Sequence, residues 1–244
     1  MLCKVINLFR VVQYSSSCSR GVSIPGNNVT LNQFIAVIYP SLHHSAVFDI
    51  PLIQEYIRLT RNLSCKANMR IAISGTHFSG KSTLVEALSE ALPQHTIFDE
   101  PYRLLQEEGY EFAEMPSIED FELQLERSIE SMDEIAPNIL FDRCPADILG
   151  YLLSHTDVET FNLAEWLPRI QTAIRKLDLI VFLPIEEPDR IVLPSSQDAA
   201  YRQHVDEMLK EIILENSFDF DVDVLEVTGS LKTRVGRVLA HIYK

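Results

Sequence analysis

An apolar pentapeptide, Arg70-Ile-Ala-Ile-Ser74, runs straight into Gly75-Thr-His-Phe-Ser-Gly80-Lys81-Ser82, and a helical pattern opens at Lys81. Few local patterns restrict a fold so tightly. The spacing GxxxxGK[ST] fixes four residue types, and average residue frequencies give roughly one chance in a hundred of meeting it in such a chain. It works only where a strand hands the chain to a helix, because successive N–H groups and the positive helix end must face one anion. Gly75 permits the turn off the strand, and Gly80 keeps a Cβ out of the path of a phosphate oxygen. Lys81 offers a cation to the β- and γ-phosphates, and the Ser82 hydroxyl is placed to ligate Mg²⁺. Thr76, His77, Phe78 and Ser79 fill the loop and Thr83 follows it, so residues 75–83 are the expected contacts of a nucleoside triphosphate. The His77 ring could touch phosphate, and a loop imidazole in solvent is the preferred of the two readings. A Gly-rich turn with an exposed Lys is the competing account, and it leaves the strand-loop-helix context unexplained.

From Met69 onward short apolar runs alternate with longer amphipathic ones, the pattern of an α/β domain with a parallel sheet. Strands are expected at 70–74, 95–99, 138–142, 179–183 and 222–227. Helices are expected at 81–92, 117–135, 146–154, 163–176 and 198–214, with a last one after Ser230. Ser117 with Asp120 makes a capping box, and Ser230 can cap the terminal helix. Leu179-Ile-Val-Phe-Leu183 suits the sheet interior. The fold class is therefore three layers, with a five-stranded parallel sheet flanked by helices, over residues 69–244.

Residues 1–68 differ in character. They hold six Lys/Arg and two Asp/Glu, a net of +4, against −18 for the remainder and −14 for the whole chain. This N-terminal extension reads in three ways: an Arg- and Ser-rich transit segment, a small accessory segment with a helix at 48–63, or sequence upstream of a natural start at Met69. The last is the reading carried forward, because a strand begins directly after Met69.

The acidic balance argues against a nucleic-acid partner, which is held by clustered Lys and Arg. It leaves open a single nucleotide, which backbone N–H groups bind locally. The four cysteines show no CxxC pair and no zinc spacing, so a reduced, cytoplasmic protein is expected. No apolar run approaches the ~20 residues of a membrane span.

Two further strand ends carry chemistry. Asp99-Glu100-Pro101 closes the second strand, taken to neighbour the first, so its carboxylates would reach the ligand crevice. Glu100 there can serve an acceptor hydroxyl during phosphoryl transfer, or it can simply cap a helix or sit in a solvated turn. Asp142-Arg143-Cys144-Pro145 closes the third strand. Asp142 can hold Mg²⁺ and Arg143 a phosphate or the acceptor.

Residues 69–244 resemble the P-loop kinase group of thymidylate, deoxynucleoside and nicotinamide riboside kinases, and a related set of AAA-type ATPase domains. The resemblance rests on Phe78-Ser-Gly80-Lys81-Ser82-Thr83-Leu84, on Glu100-Pro101 and on Asp142-Arg143. It implies an acidic residue at Glu100 serving the acceptor and an Arg-bearing lid. Arg190 and Arg202 are the lid candidates, and Gly229 lies where such kinases pack adenine. The strand at 179–183 lacks the usual terminal aspartate, so Asp142 takes the metal-side role.

The expected function is transfer of the γ-phosphoryl of ATP, with Mg²⁺, to a nucleoside, nucleotide or similar small molecule. Lys81, Glu100, Asp142, Arg143, Arg190 and Arg202 would carry it. ATP is preferred to GTP because no Asn-Lys-x-Asp motif follows a strand. The alternative is an AAA-type ATPase or nucleotide-dependent switch acting on a protein, and a homodimer is left open. The acceptor is expected between Tyr102 and Phe141, walled by Phe121, Gln124 and Arg127.

Overall fold

The computed structural model describes residues 68–243 except 114, 190, 192 and 195–197. The expectations for residues 1–67 and for Arg190 lie outside the described residues.

Five strands form one parallel sheet: β1 Arg70–Ser74, β2 Thr96–Phe98, β3 Ile139–Asp142, β4 Leu179–Phe182 and β5 Asp223–Glu226, in the order β2-β3-β1-β4-β5. Seven α-helices accompany it among the described residues: α1 Lys81–Ala91, α2 Pro101–Glu107, α3 Ile118–Ser131, α4 Pro145–Leu153, α5 Leu163–Ile174, α6 Ala199–Leu209 and α7 Leu231–Ile242. A π-helical turn, Lys210–Leu214, continues α6.

The alternation of side chains along each strand divides the core in two. Ile71, Ile73, Leu179 and Val181 pack with Leu84, Val85 and Leu88 of α1 and Val238 of α7. Ala72, Phe141, Ile180 and Phe182 face the opposite layer, with Phe121 and Leu125 of α3, Leu149 and Leu152 of α4 and Ile170 of α5. Every residue of β4 is fully buried, which is why its sequence reads as an unbroken apolar run. Leu88, also fully buried, ties α1 to the sheet, and Leu88→Ala would cost about 2–5 kcal/mol.

The capping box of α3 is formed as expected: the Asp120 amide donates to Ser117 Oγ at 3.2 Å and the Ser117 amide to Asp120 Oδ2 at 2.9 Å. Ser230 caps α7 through the Thr233 amide at 3.3 Å. One expectation needs correction. The second strand pairs with β3 and forms a sheet edge, so it is not the neighbour of β1. Chain order alone cannot distinguish a crossover that skips a place in the sheet. Glu100 does begin a helix, one of the alternatives open for it: α2, with Pro101 at its first position. Seven residues are too few to display an amphipathic period, so only the proline announced it.

Candidate nucleotide site

The site lies where β1, β2, β3 and β4 end. Parallel register sets Ile73 beside both Asp142 and Val181, so the phosphate-binding loop leaves the sheet between the ends of β3 and β4. Gly75 has φ +146°, and a Cβ there would stand 2.5 Å from the Leu183 carbonyl oxygen. No other residue fits that approach. Gly80 has φ +88°, and its missing Cβ makes room for the Arg234 guanidinium, whose Nη1 would lie 3.2 Å away. The sequence reading gave that space to a phosphate oxygen; the structure gives it to a supporting arginine.

The loop carbonyls show how the cradle is held. Arg143 Nη1 donates to Gly75 O at 3.1 Å, Lys81 Nζ to Thr76 O at 2.7 Å and Arg202 Nε to His77 O at 3.0 Å. Arg202 Nη2 donates to Phe78 O at 3.1 Å and Arg234 Nη1 to Ser79 O at 2.9 Å. Five successive carbonyls are thus each fixed by a cationic donor. Two loop amides are held from α4: Gly75 N–H donates to Asp147 Oδ1 at 2.9 Å and His77 N–H to the Tyr151 hydroxyl at 2.8 Å. The amides of Lys81, Ser82 and Thr83 precede the first intrahelical bond, Leu84 N to Gly80 O, and so face outward with the positive end of α1. Carbonyls secured on one side and amides free on the other fit a polyphosphate.

Lys81 is buried, and burial together with Arg143 lowers its pKa to about 7, against the pull of Asp147, Asp142 and Glu100. An anion in the cradle would restore the ammonium form. Ser82 Oγ donates to Asp142 Oδ2 at 2.7 Å, while Asp142 Oδ1 is buried with no hydrogen-bond partner among the described residues. Burial raises the Asp142 pKa, outweighing Lys81, Ser82 and Arg143. An orphaned carboxylate oxygen beside a hydroxyl is the donor set of a hard cation that takes its remaining ligands from phosphate and water, as Mg²⁺ does. The two residues therefore fit that ion.

Arg143 also bonds Glu100, Nε to Oε2 at 2.9 Å, and its guanidinium lies 5.4 Å from the centre of the Tyr151 ring. Burial alone would raise the Glu100 pKa; Arg143, Lys81 and Arg103 hold it below the usual glutamate value. Arg143 has φ +79°, an uncommon conformation for a residue with a Cβ, and it aims the side chain back over the loop.

A family model for an AAA domain matches residues 70–234. The chain belongs to this AAA domain family. No curated protein sequence matches it. By structure the AAA domain is similar to a deoxyadenosine kinase from M. mycoides with dCMP and dCDP, at TM-score 0.52 and 19% identity over 71% of this chain and 98% of that one. It is similar to a thymidylate kinase from Ehrlichia chaffeensis, at TM-score 0.51 and 13% identity over 73% and 100%. A NadR protein in complex with NAD and AMP-PNP gives TM-score 0.53 and 15% identity over 82% of this chain and 58% of that one. At these identities the likeness establishes the P-loop kinase-like fold.

Not every expected residue of the AAA domain stands where the sequence reading put it. Arg202, expected in a lid, is 4% exposed, bonds two loop carbonyls and pairs with Asp189 at 2.5 Å. It is a brace under the loop, because α6 packs against α4 and brings its first turn to the loop's outer side. Gly229 donates its amide to Glu186 Oε1 at 2.9 Å and accepts from Arg234 Nε at 3.1 Å. Phe141 is 2% exposed and lies between Phe98 and the Arg70 guanidinium, within the core. Phe121 stacks on Tyr151, Gln124 bonds the Asp120 carbonyl, and Arg127 pairs with Glu108 at 3.0 Å.

Asp147, Tyr151, Glu186 and Arg234 of the AAA domain escaped the sequence reading. Each acts across a long separation: Arg234 reaches a carbonyl 155 positions away. Asp147 alone left a trace, since it sits three residues after Cys144 at a helix start and accepts from the Cys144 amide at 3.0 Å.

Proposed function

We propose that this AAA domain is a phosphotransferase that moves the γ-phosphoryl of ATP to a hydroxyl or phosphate of a nucleoside, nucleotide or similar small molecule. The observation that carries the reading is the Glu100–Arg143 pair, at 2.9 Å. It sets an ionised carboxylate and a guanidinium, from two strand ends, beside the loop that would hold the triphosphate.

Phosphoryl transfer needs positioning and charge stabilisation more than covalent help. The loop amides and Lys81 would bind the polyphosphate tail. Ser82 and Asp142 would hold Mg²⁺, which would supply charge neutralisation to the polyphosphate. Arg143 would meet the charge developing on the transferred group. Glu100 would accept a hydrogen bond from the attacking hydroxyl and receive its proton as the new P–O bond forms and the bond to the ADP oxygen breaks. Its low pKa is compatible with this role, because in a loose transition state the proton leaves late.

Acceptor-dependent ADP release across a panel of nucleosides, nucleotides and small hydroxyl compounds tests the reading. The expected result is at least one acceptor that raises turnover well above basal hydrolysis, with a phosphorylated product. Hydrolysis accelerated by a protein partner and by no metabolite would instead mark a nucleotide-dependent switch.

A further inference from the structure

The third residue of the loop is a histidine, and its surroundings define what it can donate. The Tyr151 hydroxyl accepts from the His77 amide at 2.8 Å and lies 3.0 Å from His77 Nδ1. The Thr76 hydroxyl lies 3.4 Å from the same nitrogen. With one lone pair engaged by the amide, the tyrosine hydroxyl is placed to donate its own proton to Nδ1. In that arrangement Nδ1 is the acceptor nitrogen and Nε2 carries the hydrogen. No hydrogen bond from Nε2 occurs among the described residues, and Nε2 is not among the buried unpartnered atoms.

The ring sits at a definable end of the cradle. In this motif the lysine serves the β- and γ-phosphates while the helix end serves the phosphates nearer the nucleoside. Lys81 Nζ rests on the Thr76 carbonyl, next to His77, so the ring would lie toward the terminal end of a bound triphosphate. Lys81, Arg143 and Arg202 all act on it electrostatically, and burial followed by these three charges lowers its pKa to about 4. The groups that face it are these three cations and the hydroxyls of Tyr151 and Thr76, with no carboxylate within bonding reach among the described residues. A donor that is neutral, fixed by a tyrosine and set among three cations is suited to an anionic oxygen.

We propose that His77 is a catalytic residue: its Nε2–H donates a hydrogen bond to the terminal phosphoryl group of the bound triphosphate, and Tyr151 is the positioning residue that sets its tautomer and direction. No proton is transferred. The inference rests on the proposed function and adds to it a reader of the γ-phosphate. Of the two roles open to this ring from the sequence, phosphate contact and a solvated loop position, it takes up the first.

The test compares ADP with the non-hydrolysable analogue AMP-PNP, by titration calorimetry with Mg²⁺, on the full chain and on His77→Ala, His77→Gln and Tyr151→Phe. Gln retains a donor near the Nε2 position and so separates hydrogen bonding from packing. His77→Ala should weaken AMP-PNP about 10-fold, leave ADP within about 2-fold and lower kcat for the best acceptor. His77→Gln should recover most of the loss, and Tyr151→Phe should fall between. Nitrogen NMR of the labelled ring should report protonated Nε2 and bare Nδ1 from pH 6 to 8.

Equal affinities in His77→Ala and the parent chain, an equal loss for ADP and AMP-PNP, or a ring protonated at Nδ1 would each overturn the assignment while leaving the phosphotransferase reading intact. A parent chain that binds neither nucleotide would overturn both.

Discussion

Glu100 and Arg143 join the ends of two adjacent strands through a single 2.9 Å hydrogen-bonded ion pair. Arg143 then passes the connection to the phosphate-binding loop through the Gly75 carbonyl at 3.1 Å. Under the proposed function one guanidinium would link acceptor side and donor side, so the pair should matter to turnover more than to nucleotide affinity. Glu100→Gln is expected to lower kcat by about 100-fold, with ADP and AMP-PNP affinities little changed. Steady-state kinetics beside calorimetry checks the split.

The same pair carries a pH dependence. Glu100 is held below its ordinary value of 4.5 in the folded protein. A depressed folded pKa means that the unfolded chain binds more protons in that window, so the contribution is complete above about pH 4.5 and fades as pH falls through the folded value. Thermal melting of the parent chain and Glu100→Gln should therefore differ by a constant amount between pH 6 and 8. The two should converge below about pH 4.5.

Lys81 costs stability where it stands, because its ammonium is buried. Lys81→Met should lose at least about 100-fold in affinity for AMP-PNP, since the loop's mobile cation is gone. In the absence of nucleotide it should melt no lower than the parent, because a desolvated charge has been removed. A large loss of melting temperature would contradict the burial argument.

Asp142 is assigned to the metal side on its orphaned Oδ1 and its 2.7 Å contact with Ser82. Asp142→Asn should abolish the part of nucleotide affinity that depends on Mg²⁺ and leave the affinity measured in EDTA unchanged. Titrations with and without the ion separate the two.

Arg234 binds Ser79 O at 2.9 Å, Gly229 O at 3.1 Å and Glu186 Oε1 at 2.8 Å, and its side chain is 9% exposed. Arg234→Ala removes the guanidinium that ties Glu186 to two loop carbonyls and is expected to destabilise by about 3–5 kcal/mol. Arg234→Lys should recover little, because three donors in a fixed planar fork cannot be copied by one ammonium. Denaturant unfolding measures both.

Much of this was legible before folding was considered. The run 70–82 announced strand, loop and helix together because the motif is local: its donors and its glycines are neighbours in the chain. Ser117 and Asp120 announced the start of α3 for the same reason. The placement of β2 was not legible, since nothing in Thr96–Phe98 records which strand lies beside it. The loop contacts of Arg202 were not legible, because an arginine on a helix looks the same whether it covers a ligand or supports a loop. What distinguishes the two roles is the carbonyls of His77 and Phe78, well over a hundred positions earlier.

The sequence by itself determined that a phosphate-binding loop joins a buried strand to a helix, because hydrogen-bond capacity and backbone freedom over eight consecutive residues are properties of those residues. Only the tertiary structure decided how that loop is held: Arg143, Arg202 and Arg234 converge on its carbonyls from three separate elements, and Asp147 and Tyr151 take two of its amides. Such convergence depends on the crossing of chains in space, which no single stretch of sequence contains.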